Sequence, residues 1–132
     1  WAWSEVPEDR LDLYEEHLLR LVSTLEASGA EVVLATHVSA IERPLSEEDE
    51  ALLVGWQRFH PRADREVILE FEERANARLR EAAEGAGATI ADAATELSPE
   101  RSWFSDHQHF TDVGADTVAA VIARAVRAAE TR

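Results

Sequence analysis

The sequence predicts an α/β fold in which parallel strands are connected by helices. Two observations carry that expectation. Stretches with apolar residues at three-and-four spacing, the mark of amphipathic helices, are interrupted twice by short continuous apolar runs of the kind that form strands covered on both faces. Their order is helix, strand, helices, strand, helix, and strands separated in this way pair in parallel through right-handed crossovers. The 132 residues, 45% of them hydrophobic, suffice for a single domain with its own core.

Each element has a local reason. Pro7-Glu8-Asp9 puts a proline and two acids where a helix opens, and Leu11, Tyr14, Leu18, Leu21, Val22 and Leu25 then mark one face. Gly29 is placed to end that helix in the left-handed conformation. Val32-Val33-Leu34-Ala35 is the first strand. Ser46-Glu47-Glu48-Asp49 has the form of a capped helix start leading to Leu52, Leu53, Trp56 and Phe59, with the acids at 47–50 as its solvated first turn. Pro61 breaks the pattern. A longer helix begins near Asp64, carries Ile68, Phe71, Ala75, Leu79 and Ala82 on one stripe, and stops at Gly85 and Gly87. Ala88-Thr89-Ile90-Ala91 is the second strand, residues 92–110 are irregular, and a final helix starts at Asp112. Thr111 is its N-cap, and Val118, Val121, Ile122, Ala125 and Val126 form its buried stripe.

Composition removes several functions. The 27 acidic residues less 13 basic ones, every one of them Arg, leave a net charge of −14, which repels nucleic acid and anionic membrane surfaces. Without Cys there is no disulfide, thiol nucleophile or thiolate zinc site. No apolar run approaches the roughly 20 residues of a membrane span. The start at Trp1-Ala2-Trp3, in place of an initiator Met, leads to the expectation that the sequence opens inside a longer protein.

The segment Trp103-Phe104-Ser105-Asp106-His107-Gln108-His109-Phe110-Thr111-Asp112-Val113-Gly114 concentrates the chemistry. It follows the second strand, and in open α/β sheets sites form beyond the carboxyl ends of strands. Asp106 and His109 are three apart on a loop, so one turn brings the carboxylate to one ring nitrogen and leaves the other facing outward. A carboxylate placed in this way fixes the tautomer and stabilises the imidazolium that forms when the histidine takes a proton from a nucleophile.

Asp106-x-x-His109, followed by Phe110-Thr111-Asp112-Val113-Gly114 and a C-terminal helix, resembles the last motif of the SGNH, or GDSL-type, hydrolases. The upstream helix and strand, and the strand ending in Asp92, follow that family's order, so the resemblance spans all 132 residues. It implies a flavodoxin-like three-layer α/β/α sandwich, a Ser-His-Asp triad completed by Asp106 and His109, no metal or organic cofactor, and a small-molecule, lipid or carbohydrate ester as substrate. The sequence lacks the family's Gly-Asp-Ser and Gly-x-Asn-Asp motifs. It is therefore similar to the C-terminal part of such a hydrolase, residues 1–132 forming one domain incomplete on its N-terminal side, with an exposed sheet edge or apolar face and with the serine and oxyanion donors upstream.

Two other readings stand beside this one. A non-catalytic α/β binding module accounts for the same elements, with Asp106 merely capping a turn. A metal-dependent hydrolase would use Asp106, His107 and His109, with His37 or His60 as a fourth ligand. Among the eight serines none lies on a Gly-x-Ser-x-Gly elbow, and Ser105 is not assigned as nucleophile. His107 reads as an exposed neighbour and His17 as a surface residue, while His37 and Asp92, at strand ends, belong first to loops. Trp56, Trp103 and Phe104 are assigned to packing, with a pocket wall as their second use.

Overall fold

The computed structural model describes residues 2–131; Trp1, the first residue of the aromatic start, lies outside the described residues. The elements are helix α1 (Glu8–Ala27), strand β1 (Val33–Ala35), helices α2 (Glu47–Gln57) and α3 (Arg65–Ala86), strand β2 (Thr89–Ala91), the short α4 (Ala93–Glu96), a 3-10 turn at Arg101–Trp103, and helix α5 (Asp112–Ala129). Among the described residues no helix is long and apolar enough to cross a membrane.

The same device launches both strands. α1 ends with Gly29 at φ 84°, its N–H donating to the Glu26 carbonyl while the Ala30 N–H reaches back to Leu25. α3 ends with Gly87 at φ 72°, bonded to Glu84, while Ala88 reaches Ala83. Each is a Schellman turn, in which a residue without a Cβ reverses the chain and satisfies two terminal carbonyls. Gly85 does not stop α3, which runs on to Ala86. Helix starts follow the sequence too: Ser46 and Asp49 form a reciprocal capping box on α2, and Thr111 accepts the Gly114 N–H at the start of α5.

β1 and β2 pair in parallel, Val33 opposite Thr89, Leu34 opposite Ile90 and Ala35 opposite Ala91. On one face Leu34 and Ile90 pack with Val22 of α1 and Leu79 and Ala83 of α3. On the other, Val33 and Ala91 pack with Val121 and Ala125 of α5 and with Phe104. A third cluster joins Leu11, Leu53, Val67 and Ile68, where α1, α2 and α3 meet. α1 lies along α3, and Arg78 of α3 ties it down through Asp12 and Glu15, each at 2.9 Å. The α1 stripe is only partly covered. Leu11 and Val22 are fully buried, whereas Leu21 is 52% exposed.

The flavodoxin-like three-layer sandwich expected from the sequence is not the architecture. Among the described residues the chain is mostly helical, and its sheet has two strands of three residues each. A sandwich needs a sheet wide enough to be a layer; two strands about 5 Å apart present a ribbon that two or three helices cover completely. The sequence holds only two strand-like apolar runs, and the further strands entered the expectation through the family resemblance, not through residues of this chain.

Candidate functional site

A cluster of bonded polar side chains lies around the carboxyl ends of the two strands. α3 faces them with a stripe at four-residue spacing, Glu72, Asn76 and Arg80, each of which captures one group. Arg80 forks onto Asp92 at the end of β2, Nε to Oδ2 and Nη2 to Oδ1, both 2.8 Å. Thr36, buried at the end of β1, donates to Asp92 Oδ1 at 3.0 Å and accepts the Ala94 N–H at 2.9 Å. Asp92 thus locks the two strand ends to α3, and the Arg80 hydrogen bonds, aided by Thr36, hold its pKa at about 2.

This pair sets a stability prediction. Asp92→Asn removes the charge from Arg80 and is expected to cost about 2 kcal/mol in urea denaturation at pH 7. Because the folded-state pKa lies below the usual 3.8, the contribution is complete above pH 4 and fades as the pH falls toward 2. The gap between wild type and variant should therefore narrow on acidification.

Asn76 holds His37 by its backbone, accepting its N–H at 2.9 Å and donating to its carbonyl at 2.8 Å. The His37 Nδ1 meets the Glu72 carboxylate, whose other oxygen accepts the Ser39 hydroxyl at 3.3 Å. Glu72 raises the His37 pKa against the opposing effect of burial. Neither Glu72 nor Asn76 belongs to a motif in the sequence. The available signal was the polar run at positions 72, 76 and 80, between Leu69 and Ala83 on one face of a helix.

Asp106 and His109 sit at the tip of a small hairpin. Its neck is the antiparallel bridge between Phe104 and Phe110, whose rings lie 5.0 Å apart. Phe104 is buried and anchors the loop in the core. Above the neck, Ser105 donates both its N–H and its hydroxyl to the His109 carbonyl, at 2.8 and 3.0 Å. Below it, the Thr111 N–H reaches the Trp103 carbonyl at 2.7 Å and the Thr111 hydroxyl reaches the Ser102 carbonyl at 2.9 Å. Gly114 presses directly on Trp103, where any Cβ would lie 2.2 Å from the Trp103 carbonyl oxygen. The glycine of the motif is thus what lets α5 close the base of the hairpin.

At the tip, Asp106 Oδ1 accepts the backbone N–H groups of Gln108 and His109, each at 2.8 Å, an Asx turn that sets the loop's curvature. The same carboxylate meets the His109 Nδ1, at 2.8 Å from Oδ2 and 3.0 Å from Oδ1. The Gln108 N–H first, and then the His109 ring and N–H, hold the Asp106 pKa well below the usual carboxylate range. The contact engages Nδ1 and leaves the Nε2 edge of a ring that is 72% exposed without a hydrogen-bond partner among the described residues.

The other candidates are placed elsewhere. His107 is not an exposed neighbour; its ring packs against Trp56, centroids 5.8 Å apart, and Phe59, at 5.5 Å. His37 is engaged with Glu72, and among the described residues no group of three or more His, Asp and Glu side chains is arranged to hold a metal ion. Phe104 is core, Trp103 is the surface on which Gly114 rests, and Trp56 both packs on His107 and bounds a cavity. Among the described residues no serine hydroxyl bonds a histidine ring, and the Ser105 hydroxyl is committed to the His109 carbonyl. Compared with protein-family models, curated proteins and solved structures, the chain matches none.

Proposed function

We propose that this chain carries the base and the orienting acid of an ester hydrolase of the SGNH type, His109 and Asp106, acting on an ester through an acyl-enzyme. The observation that carries the reading is the Nδ1 contact of His109 with an ionised carboxylate while its Nε2 edge stands open. A turn-capping role alone uses Asp106 Oδ1 and the two backbone N–H groups; it does not call for an imidazole on the same carboxylate.

In the proposed reaction a serine supplied by residues preceding this chain attacks the ester carbonyl, and its hydroxyl proton passes to His109 Nε2. The tetrahedral intermediate collapses as the leaving alkoxide takes that proton, which completes the acyl-enzyme. Water repeats the sequence and releases the acid. Asp106 stays ionised throughout and stabilises the imidazolium.

The coding sequence before Trp1 is expected to specify a Gly-Asp-Ser. The polypeptide expressed with that segment should hydrolyse p-nitrophenyl butyrate, and His109→Ala should lower kcat on the order of 10³-fold or more. Unchanged turnover in the variant would remove the proposal. Activity lost to a chelator and restored by zinc would replace it with a metal mechanism.

A further inference from the structure

Trp56 packs on His107 with one part of its surface and helps to bound a cavity of about 340 Å³, within the size range of small-ligand pockets. Trp3 and Phe71 supply two more aromatic walls, and the rest is aliphatic except for Arg10 and His60. Among the described residues lining it there is no carboxylate. A wall drawn at random from a chain with 27 acidic residues against 13 Arg would carry acid more often than base. Arg10 is half-exposed, and its own ion pair, with Asp9, is loose at 3.6 Å. Its guanidinium is thus available at the edge of an aromatic slot, the arrangement that holds a flat apolar body and orients a carboxylate.

We propose that this cavity is a binding site for an apolar carboxylate, a one- or two-ring aromatic acid or an alkyl acid of similar bulk, with the hydrophobic body between Trp3, Trp56 and Phe71 and the anion on Arg10. The hydrophobic walls favour the body irrespective of its charge, and the cation selects the sign. The site does not depend on the hydrolase reading, since Asp106 and His109 are not among its walls.

The test is a titration of the chain with naphthalene-1-carboxylate, followed by the indole N–H resonances of Trp3 and Trp56. Two isosteres, 1-naphthalenemethanol and 1-naphthylmethylamine, are run beside it. Saturable shifts of both indoles are expected with the carboxylate, with affinity at least 10-fold weaker for the amine and intermediate for the alcohol. Arg10→Glu, a surface change, should weaken the carboxylate at least 10-fold while leaving the far-UV spectrum unchanged. Absence of saturable binding, shifts confined to other residues, equal affinity for amine and acid, or indifference to Arg10→Glu would each overturn the assignment. None of these outcomes bears on ester turnover, which His109→Ala tests separately.

Discussion

Gly114→Ala is expected to destabilise the chain by about 3 kcal/mol or more, although alanine is intrinsically the better helix former by about 1 kcal/mol. The added Cβ would stand 2.2 Å from the Trp103 carbonyl oxygen and 2.8 Å from the Trp103 Cβ. Neither neighbour can yield cheaply. That carbonyl accepts the Thr111 N–H, and the adjoining Phe104 is buried in the core. Relief therefore requires α5 to move away from the hairpin base, which loosens the frame of Asp106 and His109. Gly85→Ala is the control. It lies inside α3 with nothing within 4 Å of its added Cβ, and it should stabilise by up to about 1 kcal/mol. Urea denaturation of the two variants should give opposite signs; a neutral or stabilising Gly114→Ala would mean that α5 is not held against Trp103.

If the proposed ester hydrolysis takes place, Asp106→Asn is expected to lower its kcat on the order of 10³- to 10⁴-fold with little change in the loop itself. The amide oxygen can still accept the Gln108 and His109 N–H groups that shape the turn. Its NH₂ then faces His109 Nδ1, which must become the acceptor and move the ring proton to Nε2, where a base needs a lone pair. Asp106→Asn and His109→Ala should not add when combined, because they disable one device. The ring tautomer, read from imidazole nitrogen chemical shifts, should switch in Asp106→Asn. An unchanged tautomer with unchanged turnover would leave Asp106 as a turn cap only.

How much of this was legible beforehand depended on distance along the chain. The capping box at Ser46, the Thr111 N-cap and the glycine reversals after α1 and α3 rest on hydrogen bonds and sterics within five residues, and the structure keeps each at the expected place. The Asp106 contact with His109 is of the same kind, three residues apart on one turn. The number of strands is not local. The sequence has two strand-like apolar runs and the described residues form two strands, but the step from strands to a layered sandwich rests on elements outside these residues.

The remaining features depend on which faces meet. Nothing near His37 announces Glu72, 35 residues away, and nothing near Asp92 in sequence points to Thr36, 56 residues back; α3 had to lie along the strand ends before its polar stripe acquired partners. His107 found Trp56 and Phe59 only because α2 folds under the hairpin. The sequence by itself determined where the four long helices begin, the sign of the surface charge, and the coupling of Asp106 to His109, because each is a short-range matter of backbone sterics, hydrogen bonding or counting. It read 92–110 as irregular and so missed the short α4 and the 3-10 turn, which are single turns without an amphipathic period. Tertiary structure alone decided that the two strands form a ribbon clasped by helices, that Gly114 is a contact surface for Trp103, and that aromatic residues from distant segments line a cavity beside Arg10. Those outcomes follow from burial, which rewards whichever faces fit and is indifferent to their separation along the chain.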